Sequence, residues 1–60
     1  MSNMWEFWAN GHENEFREVL EQIHYFREAG YNWSEILGMI EDLGYYRSFA
    51  LYAVKIYRNR

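Results

Sequence analysis

Residues 13–29 read ENEFREVLEQIHYFREA. Phe16, Val19, Leu20, Ile23 and Phe26 fall at the i, i+3, i+4, i+7 spacing of a single helical stripe. Glu13 and Glu15 stand in the first turn, where the helix dipole favours negative charge, and Gly30 stands at the expected stop. The spacing predicts an amphipathic helix over 13–29 and, with it, a helical domain. No stretch of the chain alternates with period two between turn signals, which argues against a sheet.

The segments on either side follow the same logic. Asn32 and Glu35 have capping-box spacing and Gly44 closes the segment, so a helix is expected over 33–43. Trp33, Ile36, Leu37, Ile40 and Leu43 would form its core stripe. Gly38 lies opposite that stripe, either as a tolerated surface glycine or where another backbone approaches closely. A further helix is expected over 46–59. Tyr45, Tyr46, Phe49, Tyr52, Ala53 and Ile56 point one way on it, and Arg47, Leu51, Val54, Lys55 and Arg58 the other. At the N-terminus a short helix over 3–10 has capping-box spacing between Asn3 and Glu6 and a left-handed stop at Gly11. Its bulky residues Met1, Met4, Trp5, Phe7 and Trp8 do not share one face. The expected architecture is therefore all-α, a compact three-helix bundle with a short aromatic N-terminal helix or arm packed across it, in one domain over 1–60.

Composition narrows the function classes. The 60 residues include no cysteine and no proline, half are apolar, and 13 are aromatic. This excludes a disordered segment, a disulfide scaffold and a thiolate metal finger. No apolar run approaches the roughly 18 residues of a membrane span, and no apolar stretch follows a basic start as in a secretory signal. A soluble, cytoplasmic domain without membrane association is expected. A chain this short buries only about 60% of its unfolded surface, so folding is near break-even. It needs dense packing, a partner or self-association as a homodimer.

Charge is segregated along the chain. Residues 1–42 hold all nine acids with Arg17 and Arg27, whereas residues 43–60 hold Arg47, Lys55, Arg58 and Arg60 and no acid. Matching of charges to helix dipoles accounts for part of this. The remainder is a molecule with an acidic first long helix and a basic last helix.

Chemistry finds little purchase. Glu21 and His24 form a Glu-x-x-His pair with Glu28 one turn on, a spacing that supplies di-metal sites in four-helix carboxylate proteins. Here it reads as an ion-pair cluster with Arg17, and a metal would need a second copy to complete its shell. His12 reads as a cap or loop residue. Ser2, Ser34 and Ser48 each lie near a predicted helix start, where capping explains them. The four glycines are isolated and build no phosphate loop. A bundle this small also has little room for a pocket of the roughly 300 Å³ that small ligands need. No enzyme activity, cofactor, metal or small-molecule substrate is expected.

The run Ile40-Glu41-Asp42-Leu43-Gly44-Tyr45, followed by a helix with Ala50 and Ala53, is similar to the Met-Gly-Phe-type loop of ubiquitin-associated domains. The likeness stops with that helix, and no residue role is carried over from it.

Two binding readings remain. Tyr, Trp, Met and Arg are the types enriched in interface cores, and the last helix combines Leu51 and Val54 with Arg47, Lys55 and Arg58. The expected function is a non-enzymatic protein-binding module, a small phage-type inhibitor or adaptor acting on a host protein or complex. Its contact residues are Arg47, Leu51, Val54, Lys55 and Arg58, with Trp5 or Trp8 as an anchor. The alternative is helix-turn-helix-like nucleic-acid binding through the basic last helix. Against it stand the negative net charge, the acidic first helix and a single cation at the start of the last one.

Overall fold

A computed structural model of the chain describes residues 4–60. All regular structure among them is helical: α1 (Met4–Gly11), α2 (Glu13–Glu28), α3 (Trp33–Asp42) and α4 (Arg47–Arg58). The pair Asn3 and Glu6 begins outside the described residues.

Each boundary has a local cause. Gly11 remains helical rather than left-handed, since among the described residues positive φ occurs only at Gly30 and Gly44. The break between α1 and α2 falls on His12, at φ −132° and ψ 46°. Gly30, at φ +95°, ends α2 in a Schellman motif. Its N–H donates to the Arg27 carbonyl at 3.0 Å, and that of Tyr31 to the Phe26 carbonyl at 3.1 Å. The Phe26 and Tyr31 rings meet edge to face at 6.2 Å, the apolar contact that accompanies this motif.

Asn32 caps α3. Its Oδ1 accepts from the Glu35 N–H at 2.8 Å while Glu35 Oε1 accepts from the Asn32 N–H at 3.5 Å, completing the capping box. Gly44, at φ +103°, closes this helix, with its N–H on the Glu41 carbonyl at 2.9 Å. Leu43 is thereby the C-cap and lies 59% exposed instead of in the core stripe. Tyr46 is likewise turned outward, at 75% exposed, because it is the extended N-cap of α4 rather than part of its inner face.

The core is assembled from three of the helices. Val19, Leu20 and Ile23 of α2, Ile36 and Ile40 of α3, and Phe49, Ala50, Ala53 and Val54 of α4 are buried together. Phe16, Phe26, Trp33 and Leu37 pack against them, half-buried. α4 packs on both α2 and α3, and α1 rests on α2. The small side chains of Ala50 and Ala53 are completely enclosed, which lets α4 sit close to its neighbours. Val54 follows Ala50 by one turn and so faces the same interior. It is 7% exposed, which overturns its expected place on the outer surface. The reason is that α4 is flanked on two sides, so its buried arc is wider than the projection of one helix suggests.

Gly38 sits mid-helix in α3, and a Cβ built there meets nothing within 4 Å. No backbone approaches closely, so the tolerated-glycine reading holds. Gly38→Ala is expected to stabilise the fold by up to about 1 kcal/mol through helix propensity. For a domain of this size that raises the melting midpoint by about 4–8 °C. A lowered midpoint in a thermal melt would show that something does press on this position.

Candidate functional site

The outer face of α4 is built by spacing. Arg47, Leu51, Lys55 and Arg58 are four, four and three residues apart and form a single exposed stripe. Leu51 is 49% exposed in its middle, an aliphatic side chain standing between cations. An open hollow of about 350 Å³ is lined by Leu51, Val54, Lys55, Arg58 and Asn59, so Val54 forms part of its floor while belonging to the core.

The cations of this stripe are unequally engaged. Arg47 Nη1 reaches Glu41 Oε1 at 3.4 Å, an exposed pair of the kind that contributes little to stability. Among the described residues, no carboxylate lies within ion-pair distance of Lys55 or Arg58. The Arg58 guanidinium instead lies over the Trp33 ring, 5.4 Å from its centre.

Trp5 and Trp8 are not brought to this stripe. Both meet Phe49 edge to face, each at 5.1 Å. Phe49 is two residues from Leu51, hence nearly opposite it on the helix. Trp5 also donates its Nε1–H to Ser48 Oγ at 3.1 Å. This corrects the capping role expected of Ser48: it lies inside the first turn of α4 and ties α1 down. Ser34 is similarly inside α3, whose cap is Asn32. Ser2 lies outside the described residues.

The two histidines join helices. His12 occupies the N-cap position of α2 but makes no side-chain cap. Its ring stacks on Trp8 at 4.5 Å with 4° between planes, and Nδ1 lies 2.8 Å from the Trp8 carbonyl. A carbonyl can only accept, so Nδ1 carries the proton. His24 Nδ1 lies 3.1 Å from the Tyr57 hydroxyl and its Nε2 lies 3.8 Å from Glu28 Oε1. Of the cluster read from sequence, only this His24–Glu28 contact forms. Among the described residues, no group of three histidine or acidic side chains is placed to hold a metal ion.

Hollows between the helices exceed the volume expected from chain length, at about 420–550 Å³, but they are open clefts rather than enclosed pockets. In one of them Tyr52 stands against Phe16 at 5.6 Å. Burial raises its phenol above the usual tyrosine range, and the nearby Glu6 carboxylate adds to that. No helix is long and apolar enough to cross a membrane among the described residues.

One grouping escapes the sequence reading. The Arg27 guanidinium also lies over Trp33, 4.5 Å from the ring centre, so two arginines from different helices share one indole. Arg27 precedes Trp33 across the Gly30 turn, a local signal of a kind, but Arg58 is far along the chain and leaves none.

Compared with known proteins, the chain matches no family model, and no curated protein or solved structure shows significant similarity to it.

Proposed function

We propose that the chain is a non-enzymatic protein-binding module, with α2, α3 and α4 acting as a three-helix bundle and α1 laid across it as an arm. It works in the cytoplasm as a small inhibitor or adaptor, and its contact face is the stripe of Arg47, Leu51, Lys55 and Arg58. The observation that carries this reading is the exposed Leu51 set among cations, two of which, Lys55 and Arg58, face no carboxylate among the described residues. An apolar side chain ringed by charge is the pattern of an interface centre and its polar rim. Trp5 and Trp8 serve the fold in this reading, and Val54 belongs to the core while lining the same hollow as Leu51.

A photo-crosslinking residue placed at position 51 is expected to capture a protein partner, whereas the same residue at position 22 of α2 captures none. Leu51→Asp with Lys55→Glu should then reduce partner capture by more than tenfold while the far-ultraviolet spectrum stays helical. Undiminished capture by that double variant would remove this face from consideration. Retention on DNA that declines steeply with salt would transfer the face to a nucleic acid.

A further inference from the structure

Three helix ends converge at one corner of the molecule. The last turn of α2 contributes Arg27, the first residue of α3 is Trp33, and the end of α4 contributes Arg58, with Arg60 just beyond. Arg58, Arg60, His24 and Tyr57 line a hollow of about 550 Å³ against the Trp33 indole. The Arg27 and Arg58 guanidinium carbons lie 4.5 and 5.4 Å from the indole centre, which keeps these like charges within about 10 Å of each other. That is close to the screening length at physiological salt, so each feels the other.

The neighbourhood does not answer these charges with acids. Among the described residues, no carboxylate is within ion-pair distance of Arg27, Arg58 or Arg60. Glu28 is turned to His24 at 3.8 Å, and Glu35 is turned to the Asn32 N–H at 3.5 Å. The indole face compensates the cations in part. Contact with the ring leaves a guanidinium N–H groups for a planar acceptor, since it carries five of them. Arg27 gives one of them, Nη1, to the Tyr31 carbonyl at 2.9 Å and has others left.

The shape of the cationic surface decides the kind of acceptor. From Arg58 the charges continue through Lys55 to Arg47, about 16 Å along α4 at 1.5 Å per residue. A single phosphate or carboxylate covers only one guanidinium of such a row. The row is also interrupted by Leu51, which a polyanion without apolar groups leaves unused. A peptide segment with spaced carboxylates and an apolar side chain fits both features.

We propose that the Trp33 corner receives carboxylate side chains of an acidic, partly apolar peptide segment of the partner, the same segment that crosses Leu51. This rests on the α4 reading above and extends it to Arg27 and Arg60, which lie off the stripe.

The test is a titration of the full nitrogen-labelled chain at low salt with a synthetic amphipathic peptide of glutamate and leucine, following the Trp33 indole N–H resonance. The resonance is expected to shift saturably, and a glutamine-for-glutamate peptide should leave it in place. Arg27→Gln with Arg60→Gln should weaken binding about tenfold or more, the scale of losing charge-assisted hydrogen bonds, while the far-ultraviolet spectrum stays helical. Leu51→Asp should weaken it independently.

An unmoved Trp33 signal, or a shift indifferent to the Arg27 and Arg60 changes, overturns the corner. If Leu51→Asp alone abolishes binding in that case, the α4 reading survives without it. Sensitivity to the arginine pair with indifference to Leu51→Asp instead overturns the shared segment and the α4 reading. Tighter binding of oligothymidylate with the same arginine dependence overturns the peptide assignment.

Discussion

Phe49→Ala should remove most of the protein's stability and lower its melting midpoint by at least about 12 °C. Phe49 is 1% exposed and meets Tyr45 at 4.9 Å, Trp5 and Trp8 at 5.1 Å, and Phe16 at 6.1 Å. It is thus the ring on which α1, α2 and the approach to α4 all bear. Truncating a buried phenylalanine to alanine costs about 3–5 kcal/mol, because the surrounding groups relax only partly into the space. At about 0.05–0.15 kcal/mol per residue, a domain this short has only about 3–9 kcal/mol in total. The loss therefore consumes most of the stability. Circular dichroism against temperature is the measurement, with Phe49→Leu as a control. That milder change should cost less than about 1.5 kcal/mol and keep a cooperative melt. A Phe49→Ala protein melting within a few degrees of the original would mean that the four rings do not depend on this one.

Where the sequence is informative here, a local rule has one outcome. The α2 stripe of Val19, Leu20 and Ile23 is legible because its spacing fixes a face whatever the neighbours are. The Asn32–Glu35 box and the glycines at 30 and 44 are legible because each closes its hydrogen bonds within a few residues. Val54 was not legible. The helical projection sets it on the face opposite Phe49 and Tyr52, and it is buried because α4 is flanked by both α2 and α3. Leu43 and Tyr46 fail for a different reason: both continue the apolar pattern past the point where the helix stops or before it starts. An apolar residue at a cap no longer follows the helical face.

The candidate site shows the same division. Segregated charge and an exposed Leu51 follow from composition and spacing along α4. The Trp33 corner does not, because Arg58 and Trp33 belong to different helices and their contact leaves no trace in either local pattern. His12 presents a related case. A histidine before a helix suggests a cap, yet the flat indole of Trp8 one turn earlier provides a better surface than the open N-terminus of α2. Ring stacking and a carbonyl acceptor together take the place of the cap.

Trp8→Ala is expected to release α1 while α2, α3 and α4 stay folded. Trp8 joins α1 to Phe49 at 5.1 Å, supports Trp5 at 6.2 Å and carries the His12 ring at 4.5 Å. It is half-buried, so its removal should cost about 2 kcal/mol, below the range for a fully enclosed indole. α1 has no buried residue of its own and only 8 residues, too few for a helix that holds without tertiary contacts. Once Trp8 is gone, Trp5 and its bond to Ser48 remain as the main attachment, and that bond is exposed. Amide hydrogen exchange should therefore rise to nearly unprotected rates over α1 and change little over α2 to α4. His12→Ala should produce a weaker version of the same pattern, since it removes the stack and one hydrogen bond but keeps Trp8 on Phe49. Equal loss of protection in all four helices would mean that α1 belongs to the same cooperative unit as the rest, and the description of it as an arm would have to be abandoned.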